Sequence, residues 1–238
     1  MRGKRERDNG DDQESKRERE EEGKSGRIDS FGFRVLPNFI SDDEHDSLLK
    51  DANSFLAKKS FLNDHFDGVI TGYREGLMNL SQADNLVELS KRVYNHFPKP
   101  SSPLIPSVHF IELQKNGSIG KHVDSIKFSG NVVAGISLQS DCVMHLYPVN
   151  GSENIHSFPL VDVLIPKKSL YIMSDEARYH WAHSIPSGEP TFLTKSVPRE
   201  RRISMIFRNA LDPSFPSGAV LFKGSFAEKV LMNNDTVI

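Results

Sequence analysis

From residue 107 to residue 207 the chain is written as a succession of short apolar runs. Val108 to Leu113, Val132 to Leu138, Val143 to Tyr147, Val161 to Ile165, Ser169 to Met173 and Ile203 to Phe207 are rich in Val, Ile, Leu and Tyr. Each is too short for a core helix and long enough for a strand. Turn signals separate them: Asn116-Gly117, Asn150-Gly151 and Pro166-Lys167-Lys168. Two helical stretches come first. Ser41 with Glu44 forms a capping box, followed by Leu48, Leu49, Ala52, Phe55 and Leu56 at helical spacing. A second helix is expected from Ser81 to about Phe97, with Leu86, Leu89 and Val93 on its buried side. An entering strand is read over Phe31 to Phe39, and Pro98 to Pro106 reads as a linker. Two helices followed by many closely spaced strands predict a mainly β sandwich or jelly roll with helices packed on one face.

The expected domain boundaries follow from composition. Residues 1–27 carry dense charge of both signs and no aromatic side chain, so they are expected to be disordered. The folded domain is expected over 28–212. Residues 213–238 form a C-terminal extension with Pro213, Pro216, Gly218 and a short apolar run at Val220 to Phe222. The single cysteine, Cys142, excludes an internal disulfide and a cysteine-built zinc site. A net charge of −2 does not mark a general nucleic-acid binder, nor does it exclude one, because charge can be local. No apolar run approaches the roughly 20 residues needed to cross a bilayer, so no membrane insertion is expected. The acidic residues of the N-terminus make it a poor mitochondrial transit peptide, and it has no apolar core of a secretory signal. An intracellular monomer is the expectation.

The chemistry-bearing residues begin at Lys121-His122-Val123-Asp124. In a strand, residues two apart share a face, so His122 and Asp124 can offer a nitrogen and an oxygen to one metal ion. Two histidines and a carboxylate on one face of an octahedron form the non-haem Fe(II) oxygenase arrangement. The His-x-Asp pair alone is a weak signal. The second histidine is His180 or His183; three apart in a strand they face opposite sides, and His183 is the choice, His180 reading as a rim residue. The third element is Arg202 to Arg208, whose alternation puts Arg202, Ser204, Ile206 and Arg208 on one face. Arginines facing a barrel interior need anions, and a dicarboxylate would supply them. Standing alone, the segment reads rather as edge-strand arginines facing solvent; its place in the final strand, after the last histidine, turns the reading inward.

The order His-x-Asp, distant His, then two arginines six apart resembles the AlkB family of Fe(II)- and 2-oxoglutarate-dependent dioxygenases. The surrounding segments, His122 to Phe128, Ser169 to Ile172, Ala177 to Tyr179 and Arg201 to Ser204, are similar to the mitochondrial homologue-seven branch. The resemblance spans roughly residues 30 to 209. It implies a double-stranded β-helix core, with Fe(II) on His122, Asp124 and His183, 2-oxoglutarate as cosubstrate, and O2 as oxidant. Arg202 would pair with the distal carboxylate of 2-oxoglutarate, and Arg208 would lie near its proximal carboxylate or the substrate. Typical members carry Asn-x-Tyr where this chain has Ile111 and Leu113, neither of which donates a hydrogen bond. Tyr171 could supply a replacement hydroxyl, or be an ordinary sheet tyrosine.

The resemblance implies mitochondrial location and links to programmed necrosis and fatty-acid metabolism. It also implies a protein or other non-duplex substrate, since this branch lacks a nucleotide-gripping lid. Lys58, Lys59, Phe61, Phe66, Tyr73 and Arg74 make a thin set for such a lid. An RNA or DNA (tRNA) demethylase is the alternative, drawing on a basic cluster at Lys195, Arg199, Arg201 and Arg202. A non-enzymatic β-helix binding module is the third.

Overall fold

The computed structural model describes residues 29–30, 32–65, 68–149 and 160–211. The expected disordered segment 1–27, the Asn150-Gly151 turn, Phe66 and the extension from 213 lie outside them. Thirteen strands appear among the described residues, in chain order. They are β1 (Asp29–Ser30), β2 (Phe33–Leu36), β3 (Leu62–Asp64), β4 (Ile70–Asn79), β5 (Ser107–His122), β6 (Val132–Leu138) and β7 (Cys142–Pro148). Then come β8 (Val161–Ile165), β9 (Leu170–Ser174), β10 (Trp181–Ile185), β11 (Thr191–Phe192), β12 (Lys195–Ser196) and β13 (Arg202–Arg208). The helices are α1 (Asp42–Leu56), α2 (Asp84–Tyr94) and α3 (Asp175–Tyr179).

The main sheet runs β1-β2-β9-β6-β13-β5-β10-β7-β8, all antiparallel, with β4 pairing β5 and β3 pairing β4. The long strand β5 belongs to both halves of the roll. Its first part pairs β13, through Arg202↔Leu113 and Ile206↔His109, and its last part pairs β10, through His183↔His122. The double-stranded β-helix with helices on one face is therefore the fold.

Period-two alternation sorts the side chains. Ile203, Met205 and Phe207 of β13, Leu170 and Ile172 of β9, and Val132, Ala134, Ile136 and Leu138 of β6 pack with Leu48, Leu56, Leu86, Leu89 and Val93 of the two helices. The opposite faces, with Val133, Tyr171, Met173 and Ile206, meet Met144, Leu146, Val163 and Ile165 from the other half inside the roll. Each fully buried aliphatic side chain contributes about 1.5–3 kcal/mol.

The capping box forms as expected: the Glu44 N–H donates to Ser41 Oγ at 3.2 Å, and the Ser41 N–H to Glu44 Oε2 at 2.9 Å. The second helix is shorter than expected. Leu80–Gln82 form a 3-10 turn and the α-helix covers Asp84–Tyr94. The entering strand is likewise confined to Phe33–Leu36.

Two expectations are corrected. Asn116-Gly117 does not turn the chain. Strand continues through it to His122, and residues 114–117 stand opposite Gly72 alone, a broad bulge between Thr71↔Ser118 and Tyr73↔Leu113. The buried Arg199 guanidinium explains why: it donates to the carbonyls of Pro186, Lys115 and Gly117, which a hairpin turn would have aimed elsewhere. The basic cluster is also not a surface patch. Arg199 and Arg202 are buried, and Arg201 pairs with the buried Glu112 at 3.1 Å and with Asn53. Only Lys195 of the four is exposed.

Candidate active site

Strands β5 and β10 bring two histidines together. His122 ends β5, His183 sits in the middle of β10, and the two are direct partners in the ladder. Their ring centroids are 4.3 Å apart. Asp124 joins them from beyond the strand: β5 stops at His122, so the shared-face argument does not apply to Asp124, which lies in the following loop. One ligand-type atom from each of the three lies within 4.8 Å of the others. His180 is not on a strand. It caps the end of α3.

The protonation states suit a cation. His122 Nδ1 donates to the Gly120 carbonyl at 2.9 Å, which leaves the lone pair on Nε2, 3.8 Å from Asp124 Oδ1. Burial, then the neighbouring His122, pushes the His183 ring down to about 3, so it stays neutral. Burial alone would raise the Asp124 carboxyl, but the His122 and His183 rings when protonated, and the Arg208 guanidinium, hold it well below the usual carboxylate range. An ionised carboxylate and two neutral imidazoles need lose no proton to bind a divalent ion.

Beside this group lies a cavity lined by Ile111, Met144, Tyr171, Arg202, Ser204 and Arg208. Arg202 is 2 % exposed, yet its Nε and Nη2 have no partner among the described residues. The buried Ser204 hydroxyl, also on this cavity, has none either. A buried guanidinium with orphaned donors is costly unless an anion completes it. The donor set and this orphaned cation therefore fit Fe(II) and a dicarboxylate. Tyr171 borders the cavity, stacked on Phe33 with ring centroids 6.4 Å apart, and burial pushes its phenol up to about 12, so its hydroxyl keeps its proton. Ile111 and Leu113 are buried opposite Ser204 and Arg202, and of the two only Ile111 lines the cavity, as apolar wall.

A second, outer cleft of about 520 Å³ shares Glu75, His109, Ile206 and Arg208 with the inner cavity. Arg208 Nη1 donates to His109 Nδ1 at 3.3 Å, so His109 Nε2 carries the proton and donates to Glu75 Oε2 at 2.8 Å. That hydrogen bond, against the opposing effect of burial, holds the Glu75 carboxyl below its ordinary value. Sequence reasoning missed Glu75 and His109. Strand β4 carries Glu75, and its two glycines and mixed charges hide the strand period.

No protein-family model matches the chain. It is 36% identical over 176 residues to the mouse (Mus musculus) "Alpha-ketoglutarate-dependent dioxygenase alkB homolog 7, mitochondrial", covering 74% of this chain and 77% of that protein. It is 35% identical over 177 residues to the bovine (Bos taurus) protein of the same name, with the same coverage. Among solved structures, one described as "The structure of OsALKBH1" superposes with a TM-score of 0.53 at 14% identity, over 77% of this chain and all of that one. The fold, the cavity chemistry and these relatives agree: the chain belongs to the AlkB-homologue family of Fe(II)- and 2-oxoglutarate-dependent dioxygenases.

Proposed function

We propose that His122, Asp124 and His183 hold the iron, that Arg202 receives the distal carboxylate of 2-oxoglutarate, and that the oxidised substrate is a protein or other non-duplex target. The orphaned Nε and Nη2 of Arg202 carry the cosubstrate assignment. A carboxylate would meet both donors in a bidentate, charge-assisted pair. In this reading the Tyr171 hydroxyl donates a hydrogen bond to the bound cosubstrate, while Ser204 borders it. Arg208, oriented by His109 and Glu75, stands where the inner cavity opens to the outer cleft and faces the proximal carboxylate or the substrate. The iron with 2-oxoglutarate and O2 supplies the oxidation, with release of succinate and CO2. The protein's share is orientation and a cavity walled by Ile111, Met144, Val133 and Ile185 that excludes water.

The substrate assignment is supported by the surroundings of the outer cleft. Its walls carry the exposed apolar side chains Leu77 and Phe128, one carboxylate, and Arg208, already engaged by His109. Three of the residues weighed as a nucleotide lid serve the fold: Tyr73 is buried, and Arg74 pairs with Glu112 at 2.7 Å and stacks on Phe61. A phosphate backbone would find few cations here. The names of the relatives support a mitochondrial location. Roles in programmed necrosis and fatty-acid metabolism rest on the sequence resemblance to the homologue-seven branch alone.

Succinate release from 2-oxoglutarate by the purified chain with Fe(II) and ascorbate tests the site. Turnover is expected in the wild type and absent in His122→Ala and Arg202→Ala. Turnover surviving in both variants overturns the assignment. Stimulation by alkylated RNA or DNA, with binding that weakens steeply in salt, overturns the non-duplex substrate.

A further inference from the structure

Asp124 lies beyond the last ladder position of β5, so strand pairing does not fix it. Its backbone is held by Arg178 of α3 instead. The Arg178 guanidinium is 1% exposed. Nη1 donates to the Asp124 carbonyl at 2.8 Å, Nη2 to the Ser125 carbonyl at 2.9 Å, and Nε to the Gly130 carbonyl at 3.2 Å. All three acceptors belong to the single segment 124–130.

A buried guanidinium bonded to carbonyls alone costs desolvation that an apolar side chain of similar volume would avoid. What distinguishes arginine is its rigid fork, which satisfies three carbonyls at set angles. The segment it grips has two tasks. Asp124 faces the inner cavity, while Ser125, Phe128 and Ser129 line the outer cleft. Helix α3 leads directly into β10, which carries His183. One side chain thus joins the element ahead of His183 to the loop of Asp124 and to the cleft wall.

We propose that Arg178 is a positioning residue that clamps the 124–130 loop, setting Asp124 in register with His183 and fixing the wall of the outer cleft. The proposal rests on the reading of His122, Asp124 and His183 as iron ligands. It explains how a carboxylate outside the sheet reaches a group built by two paired strands.

The test uses Arg178→Lys and Arg178→Met in the full chain. Lysine keeps the charge, but its compact ammonium lacks the planar fork that spans the three carbonyls. Amide hydrogen exchange on the metal-free proteins is expected to accelerate within 124–130 while the strands keep wild-type protection. Mn(II), followed by the magnetic-resonance signal of the free ion, is expected to bind about 10- to 100-fold more weakly. The KM for 2-oxoglutarate should move less than kcat, because Arg202 is untouched. Folded variants with wild-type exchange in 124–130 and wild-type Mn(II) affinity overturn the proposal. Should the methionine variant fail to fold, the lysine variant decides. His122→Ala is measured alongside: unchanged Mn(II) affinity there means the ligand assignment has failed, and the exchange arm alone then decides the clamp.

Discussion

His122 and His183 are cross-strand partners in the β5–β10 ladder, with ring centroids 4.3 Å apart. Direct pairing is the closest approach two strands allow, so two imidazoles converge without help from any loop. His180 is in a different situation: it caps α3, and its carbonyl accepts from the Val149 N–H. His183→Ala is therefore expected to lose divalent-metal binding and succinate formation, and His180→Ala to keep both. Titration with Mn(II) and an endpoint succinate assay separate them. Retained metal binding in His183→Ala would refute the role given to the pair.

If Arg202 receives the distal carboxylate of the cosubstrate, it trades stability for function. Its orphaned buried donors strain the protein without cosubstrate, as a buried unpaired cation does. Arg202→Met should leave the thermal midpoint of the metal-free chain unchanged or raised, while weakening 2-oxoglutarate binding about a hundredfold or more. Calorimetric unfolding and isothermal titration give the two numbers. A lower midpoint together with intact cosubstrate binding would show that the guanidinium serves the fold instead.

The depressed pKa of His183 has a definite sign. The ordinary value is 6.5 and the folded value about 3. Between these the unfolded chain binds a proton that the folded chain does not. Stability of the metal-free protein is thus fully present above about pH 7 and falls as pH drops from 6.5 towards 3. The depressed Asp124 acts in the same direction, with stability lost as pH falls below the ordinary carboxylate value. Denaturant midpoints across pH 4–8 should decline on the acid side, and the decline should flatten in His183→Gln. An identical slope in that variant would assign the acid sensitivity to other groups.

The parts legible in the sequence are those where one rule acts alone. The faces of β13 follow from alternation because no bulge interrupts it: Ile203, Met205 and Phe207 meet the helices while Arg202, Ser204 and Ile206 face inward. The start of α1 follows from a local cap. Strand β4 escapes because Gly72, at φ +58, breaks its period. The position of Asp124 escapes because its cause, Arg178, lies 54 residues away. A pairwise close approach is equally invisible. Gly135 stands opposite Tyr171, and a Cβ there would come within 2.4 Å of the ring. Gly135→Ala is expected to cost about 1–3 kcal/mol and to displace the Tyr171 hydroxyl from the cavity. Urea unfolding measures the first effect and the KM for 2-oxoglutarate the second. A variant normal in both would remove Tyr171 from the cosubstrate site.

The misread Asn116-Gly117 pair leads to the last expectation. Asn-Gly favours a two-residue hairpin when the flanking strands pair with each other. Here both flanks belong to β5, and pair with β13 and β4 on one side of the bulge and with β10 and β4 on the other. The local preference is overridden by these ladders and by Arg199, which is fully buried and bonds to Lys115, Gly117 and Pro186 carbonyls. The bulge also requires glycine, since a Cβ at Gly117 would stand 2.4 Å from the Gly72 carbonyl oxygen. The bulge lets β5 pass from one half of the roll to the other before it reaches His122. Arg199→Met leaves several buried carbonyls without donors and should destabilise the chain by about 3 kcal/mol or more. If the bulge guides β5, Mn(II) affinity at His122 should fall in this variant even at temperatures where it remains folded. Stability loss with unchanged Mn(II) affinity would mean that the β5–β10 ladder alone places His122.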